Sequence, residues 1–225
     1  MLSFTTSKRY RLFEETLRSL TRCVRDINLI SNVLIVDDGS PSGEIEQMIC
    51  QVQSALPGRP VSLSTVPAPK GHAASMRRWY DLISGDFVFH CEDDWQFMRT
   101  DQVIRRSIDI LRKNLSFGQI VFSKDAKEVS KAIFPEQGYW TYNFNERQAY
   151  SQKFLGTWPH FMLNPSIIKI QSLRATGNFM LANRFEYQYG RRWYAAGNRT
   201  VFLDPKVAIH LGGGQSAYDI NNTAR

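Results

Sequence analysis

Two short apolar runs constrain this chain most: NVLIVD at 32–37 and DFVFHC at 86–91, each leading straight into acidic residues. Runs of six residues, rich in β-branched and aromatic side chains, suit strands buried on both faces rather than one. Such strands need helices packed above and below them, which points to a layered α/β architecture. The intervening segments supply those helices. At 11–23, Leu12, Phe13, Thr16, Leu17 and Leu20 fall on one helical face. At 43–56, Ile45, Met48, Ile49 and Val52 align, and Pro57 and Gly58 stop the helix. Further strands are predicted at 1–6 and 61–66, a loop at 67–71, and a helix at 72–84 that Gly85 ends. Strand–helix alternation of this kind gives a mostly parallel, Rossmann-like central sheet flanked by helices.

Ligands of such sheets bind just past the carboxyl ends of the strands. Three polar clusters occupy those places: Thr5, Thr6 and Ser7; Asp37 to Ser40; and Glu92, Asp93 and Asp94. They are expected to share one rim. The second half is less regular. Helices are predicted at 101–113, 165–175 and 183–196, and strands at 119–123, 157–163, 200–204 and 207–210. The segment 124–149 is mixed, and the Gly- and Asn-rich tail from Gly212 is expected to be mobile.

With 225 residues, 43% hydrophobic and 22% charged, the chain can bury a core of ordinary size as a single domain. No apolar run is long enough to span a bilayer, and the first residues do not resemble a signal peptide. The net charge of +7 is dispersed, with short pairs only at Arg77–Arg78, Arg105–Arg106 and Arg191–Arg192. No nucleic-acid partner is therefore expected; a phosphorylated substrate or an anionic surface accounts for the charge as well. Cys23, Cys50 and Cys91 are odd in number and lack metal-ligand spacing. They are read as reduced core thiols, which favours a cytosolic setting, with peripheral membrane contact left open.

The most informative cluster is Glu92, Asp93 and Asp94. Adjacent carboxylates repel one another, and a fold tolerates them cheaply only in water or around a cation. Their flanks, DFVFHC before and Trp95 and Phe97 after, place them beside a hydrophobic wall rather than on an open turn. Hard cations such as Mg²⁺ and Mn²⁺ take oxygen ligands and often share them with substrate phosphates. The plainer alternative is a solvated acidic turn.

The ordered set VDDGS, then a Gly-containing loop and helix, then SGDFVFHCEDDW resembles the GT-A fold glycosyltransferases. It is most similar to their family 2, in which an Asp-x-Asp type element ends the fourth strand. The resemblance covers residues 1–98 in good order and the remainder only in outline. It implies one GT-A domain over 1–225, with a nucleotide-sugar half at 1–98 and a smaller acceptor half at 99–225. It implies Asp94 as the ligand of Mn²⁺ or Mg²⁺, Asp93 near the ribose and metal, and Glu92 reaching the ion through water. Asp38 matches a base-binding position, although Asp-Gly-Ser-Pro is also an ordinary capping turn. Thr5 matches a position lining the base pocket, and Arg9 a basic position after it, with a surface arginine as the alternative. Lys70 matches a base- or phosphate-contacting cation. Arg77 stands where many relatives carry Asn, so its role is open. A late histidine matching His210 often completes the metal site, and the glycines after it permit close backbone approach.

Inversion requires a base for the acceptor hydroxyl. Glu186 matches the position, with a helix-start carboxylate as the alternative reading and Asp204 in reserve. The aromatics Tyr139 to Phe144 and Trp158 to Phe161 are either a sugar-stacking wall or core. The resemblance thus implies a metal-dependent, inverting, hexosyltransferase-type enzyme. It would move a sugar from a nucleotide-diphosphate donor, UDP-sugar favoured, to a hydroxyl of a glycan or glycoconjugate. The alternatives are an inactive binding module of the same fold and a sugar nucleotidyltransferase. The segment TTSKRYR lacks the glycine-rich loop that the latter usually carries after its first strand.

Overall fold

The computed structural model describes residues 1–124, 132–142, 161–182 and 184–212. Strands β1 (Leu2–Thr6), β2 (Val33–Asp37), β3 (Val61–Ser64) and β4 (Phe87–Glu92) alternate with helices α1 (Tyr10–Cys23), α2 (Ser42–Ala55) and α3 (His72–Leu82). There follow β5 (Trp95–Phe97), α4 (Val103–Lys113), β6 (Phe117–Val121), β7 (Ala132–Glu136), β8 (Tyr139–Tyr142) and β9 (Ser166–Lys169). The described chain closes with α5 (Ile170–Thr176), α6 (Phe185–Ala195), β10 (Arg199–Leu203) and β11 (Ala208–His210).

Nine strands form one sheet in the order β3-β2-β1-β4-β9-β6-β10-β8-β7. Only β8 and β9 run against the rest. Period-two alternation sorts the side chains onto two faces. Leu2, Phe4, Val33 and Ile35 face one way and pack with Phe13, Leu17 and Leu20 of α1 and Met48 and Val52 of α2. Leu34, Val36 and Val88 face the other way, against Met76 and Trp79 of α3 and Tyr189 and Trp193 of α6. Every residue of β1 and β2 is buried, as strands covered on both sides require. Each large aliphatic side chain so enclosed contributes roughly 1.5–3 kcal/mol. The molecule is therefore an α/β/α sandwich.

One predicted element changes type. The segment 165–175, expected as a single helix, splits into β9 and α5. Residues 166–169 insert between β4 and β6, antiparallel to both, with Phe89 opposite Ile167. Ile167 and Ile168 then bury on opposite faces, one in each core layer, an arrangement a strand allows and a helix does not. Of the strand expected at 157–163, residues 161–163 are irregular and the rest lies outside the described residues. Phe144 and the tail beyond Gly212 also lie outside them. Of the cysteines expected in the core, Cys23 and Cys91 are buried, but Cys50 is exposed on the outer side of α2. Among the described residues no helix is long and apolar enough to cross a membrane.

The strand order fixes where a ligand can sit. From β1 the chain steps outward through β2 to β3, then returns to place β4 on the other side of β1. The crevice past the carboxyl ends of β1 and β4 lies at this switch point. A small ribbon guards it: β11 pairs with β5, setting His210 opposite Trp95.

Candidate active site

The rim is assembled by turns before any ligand is considered. The Asp37 carboxylate accepts hydrogen bonds from the amides of Gly39 (3.0 Å) and Ser40 (2.9 Å) and from the Thr65 hydroxyl (2.9 Å), closing the turn after β2. Gly39 has φ 82°, and a β-carbon there would collide with the ring of Pro69. Glycine is needed both for the turn and for the contact with the loop before α3. Asp38, fully buried, accepts from the amides of Lys70 (2.9 and 3.1 Å) and Gly71 (2.8 Å).

The acidic cluster is anchored as firmly. The Thr16 hydroxyl of α1 donates to the Asp93 carbonyl (2.9 Å) and accepts from the Trp95 amide (2.9 Å), while the Leu211 amide donates to the Asp94 carbonyl (2.8 Å). The Asp93 side chain is fully buried and accepts from Thr6 Oγ1 (2.7 Å) and Arg9 Nε (3.2 Å), and Arg9 Nη2 donates to its other oxygen. Arg9 Nη1 reaches Asp94 Oδ2 at 2.8 Å, and His210 Nε2 lies 3.1 Å from that same oxygen. The His210 ring rests against Trp95, with centroids 4.9 Å apart. Burial pushes Asp93 up to about 6 even though Arg9 pulls it down. The Glu92 carboxyl is raised well above its ordinary value by burial and by Asp94, Glu186 and Asp93. Asp93 and Asp94 share the one Arg9 guanidinium, with the raised Glu92 carboxyl beside them.

On the facing side, His72 Nε2 lies 3.3 Å from Glu92 Oε1. Burial, and then the Arg9 charge, lower His72 to about 4, so the ring is neutral near pH 7. Phe185, the first residue of α6, packs edge-on against His72 at 5.1 Å. Its neighbour Glu186 accepts from the Leu163 amide at 3.0 Å, and burial raises its carboxyl above the usual range. Thr5, Arg9, His72, Glu92, Asp94 and His210 thus line one cavity of about 170 Å³. That is too small for a whole nucleotide sugar, for which pockets of about 300–1,000 Å³ are usual. It suits a diphosphate and one cation, with the remainder of a ligand lying along the rim.

Comparison with solved structures identifies the architecture. No family model matches the sequence, and no curated protein matches it. The mannosyltransferase PcManGT from Pyrobaculum calidifontis, in complex with GDP-Man and Mn²⁺, aligns over 93% of this chain with TM-score 0.67 and 15% identity. TarS 1–349 of S. aureus in complex with UDP-GlcNAc aligns over 92% (TM-score 0.64, 15% identity), and GalNAc-T7 with UDP, GalNAc and Mn²⁺ over 93% (TM-score 0.64, 9% identity). These neighbours are GT-A-type glycosyltransferases. The fold is GT-A. The chain spans 56%, 57% and 43% of these three neighbours, about half their length.

Of the residues singled out in the sequence, the GT-A scaffold gathers Thr5, Arg9, Glu92, Asp94 and His210 around the cavity, with Asp93 directly behind it. The Thr5 hydroxyl is buried and has no partner among the described residues. Three others sit differently. Asp38 has both carboxylate oxygens on the loop before α3, while the turn after β2, the alternative role given to Asp38, is closed by its neighbour Asp37. Lys70 contributes its amide to that contact while its side chain is exposed, and Arg77 is exposed on the outside of α3. One residue further along that helix, Arg78 turns inward, donates to the Asp37 carbonyl (2.8 Å) and lies 3.6 Å from Asp38. Thr6 lines the cavity as its rim cluster implied, while Arg78 and His72 are site residues that the sequence reading missed.

Asp204 follows β10, three strands along from β4, and does not line the cavity. Of the two readings of the aromatics, core holds for those described. Tyr139, Trp140 and Tyr142 are buried, Trp140 stacks on Phe202 at 4.2 Å, and Phe161 packs against Tyr189 at 4.6 Å. Trp158 lies outside the described residues.

Among the described residues no three His, Cys, Asp or Glu side chains form a ready metal cage. Asp94 and His210 do form a pair. Their 3.1 Å separation matches adjacent ligands on an octahedral ion with bonds of about 2.1 Å. Asp94 Oδ1 is buried without a partner among the described residues, and the Glu92 carboxyl lines the same cavity. Two protein ligands, completed by water and phosphate oxygens, fit the usual habit of Mg²⁺ and Mn²⁺.

Proposed function

We propose that this chain is a metal-dependent, inverting glycosyltransferase of hexosyltransferase type. It transfers a sugar from a nucleoside-diphosphate donor, UDP-sugar favoured, to a hydroxyl of a glycan or glycoconjugate. The observation that carries the reading is the convergence of Asp93, Asp94, Arg9 and His210 at the β1/β4 switch point of a GT-A fold. The half at 1–98 would hold the donor and the half at 99–225 the acceptor, within one domain. Three free thiols, one of them exposed, are in keeping with a cytosolic, reducing setting.

In this reading Thr5 offers its hydroxyl to the donor, and Asp93 holds the ribose side while fixing Arg9. Asp38 shapes the base pocket by holding the loop of Lys70, and the exposed Lys70 side chain would meet a phosphate. Arg77 is at most a peripheral contact. Asp94 and His210 would hold Mn²⁺ or Mg²⁺, with Glu92 on the same cavity wall reaching it through water, and a bound ion would supply Lewis-acid neutralisation of charge on the departing nucleoside diphosphate. Glu186 takes the proton from the acceptor hydroxyl, and its raised carboxyl brings it nearer the working pH of a general base.

The test is release of UDP from UDP-sugars with Mn²⁺ or with EDTA, repeated with other nucleoside-diphosphate sugars. Turnover that needs the ion and stops in Glu186→Gln supports the proposal. No release from any donor by folded protein contradicts it.

A further inference from the structure

Gln119 is a primary amide fully buried in the middle of β6. Its backbone pairs with Ile168 of β9 and Thr200 of β10, so the sheet does not need its side chain. Burying an amide is costly unless its polar atoms are satisfied. Here they all are. Nε2 donates to the Met162 carbonyl (2.5 Å) and to Ser166 Oγ (3.0 Å), and Oε1 accepts from the Met162 amide (3.2 Å) and Thr200 Oγ1 (3.0 Å). Two donors and two lone pairs are all that the amide has. Residues 161–163 are irregular, and Gln119 stands in for a neighbouring strand by taking both polar backbone groups of Met162. The next amide along, that of Leu163, donates to Glu186 Oε1 at 3.0 Å.

We propose that Gln119 is a positioning residue for Glu186: by clamping Met162 it aims the Leu163 amide that fixes the Glu186 carboxylate. The inference rests on Glu186 as the base of the proposed function. Gln119 acts only through the main chain of 162–163. A fully satisfied buried network admits one arrangement, and a base works only within hydrogen-bond reach of the proton it takes.

The experiment compares wild type, Gln119→Met, Thr200→Val and Glu186→Gln. It follows Mn²⁺-dependent release of UDP from UDP-GlcNAc, UDP-glucose and UDP-galactose across pH, with melting curves to confirm folding. Methionine has the length of glutamine without its amide. Thr200→Val keeps the shape and removes one hydrogen bond to Oε1, so it reads the same effect should Gln119→Met fail to fold. Misplacement of about 1 Å costs roughly 10²-fold in rate. Gln119→Met should therefore lower kcat by about tenfold or more, and Thr200→Val by about threefold, with the donor KM unchanged. The Leu163 amide lowers the Glu186 carboxyl against burial, so loosening it moves the acid limb of kcat to higher pH. Lys124 and Glu92, which also act on that carboxyl, stay in place. A general loosening of the fold would not move the limb. An unchanged kcat in the folded variants, or a fall with the limb unmoved, overturns the inference and leaves Glu186 as the base if Glu186→Gln is inactive. If Glu186→Gln turns over as wild type does, or wild type releases no UDP, the base reading falls and the inference with it.

Discussion

Gly212→Ala puts one methyl group into the narrowest part of the site. A β-carbon at Gly212 would press on Asp94 Oδ2, 3.0 Å from His210 Nε2 and 3.1 Å from Asp94 Cγ, where ordinary contact begins at 3.4 Å. Something must shift by much more than the few tenths of an ångström that a tight contact can absorb. The carboxylate cannot yield freely, because Arg9 holds Oδ2 and the Leu211 amide holds the Asp94 carbonyl. The backbone after β11 must move instead, and it carries His210 with it, opening the pair. Misplacement of about 1 Å at a reacting centre costs roughly 10²-fold in rate. Stability should change little, because loss of glycine freedom in the unfolded chain returns about 0.4–1 kcal/mol against the local strain. The expected result is a Mn²⁺-dependent donor turnover about two decades below wild type, with weaker Mn²⁺ uptake and a near-native melting temperature. Turnover and Mn²⁺ affinity both within threefold of wild type would refute the assignment of the Asp94–His210 pair.

Three further outcomes follow from the packing and the charges. Gly118→Ala drives a methyl into the buried Trp193 indole, with Ser172 Oγ only 2.9 Å away; overpacking of about 2–3 kcal/mol should lower Tm by roughly 4–10 °C in a thermal melt. Asp38→Ala strands the Lys70 and Gly71 amides and should destabilise the fold by about 2–4 kcal/mol; an unchanged melt with a raised KM for donor would restore base contact as the main role of Asp38. Glu186→Gln tests a folded-state pKa raised by burial. A carboxyl so raised stabilises the fold below its unfolded value of 4.5, and that contribution is lost as pH climbs through the raised value. The variant should therefore melt higher than wild type at neutral pH and alike below pH 4.5, and wild-type turnover should rise on the alkaline side of 4.5; the reverse order of melts contradicts the buried base.

The donor half was legible because its signals are local. Apolar runs such as VLIVD declare buried strands, and the polar residues that end them had to share a rim once the strands were parallel. His210 could be singled out because three glycines follow it. What the sequence concealed depends on contacts distant along the chain. Ser166 to Lys169 form a strand only because β4 and β6 leave a slot between them; alone, Ile167, Ile168, Ile170 and Leu173 fit a helix equally well. The β5–β11 ribbon has three residues a side, too few for any period to register. Arg77 and Arg78 are adjacent, and only the phase of α3 decides which turns inward. Arg9 could be placed near the donor, but its double grip on Asp93 and Asp94 appears only when the start of α1 is brought beside the turn between β4 and β5. The aromatic residues went to the core because β8 and β10 stack Trp140 on Phe202.

The central claim is that a nucleoside diphosphate binds at this rim through a cation held by Asp94 and His210. Its most direct test is the thermal stability of wild type and Asp94→Ala with UDP, each with and without Mn²⁺. Ligand at 100 times its Kd stabilises by about 2.7 kcal/mol, which a melt resolves easily. The account predicts that UDP raises the wild-type melt only when Mn²⁺ is present, and that Asp94→Ala shows no rise in either condition. A UDP shift that ignores Mn²⁺, or one that persists in Asp94→Ala, would contradict it.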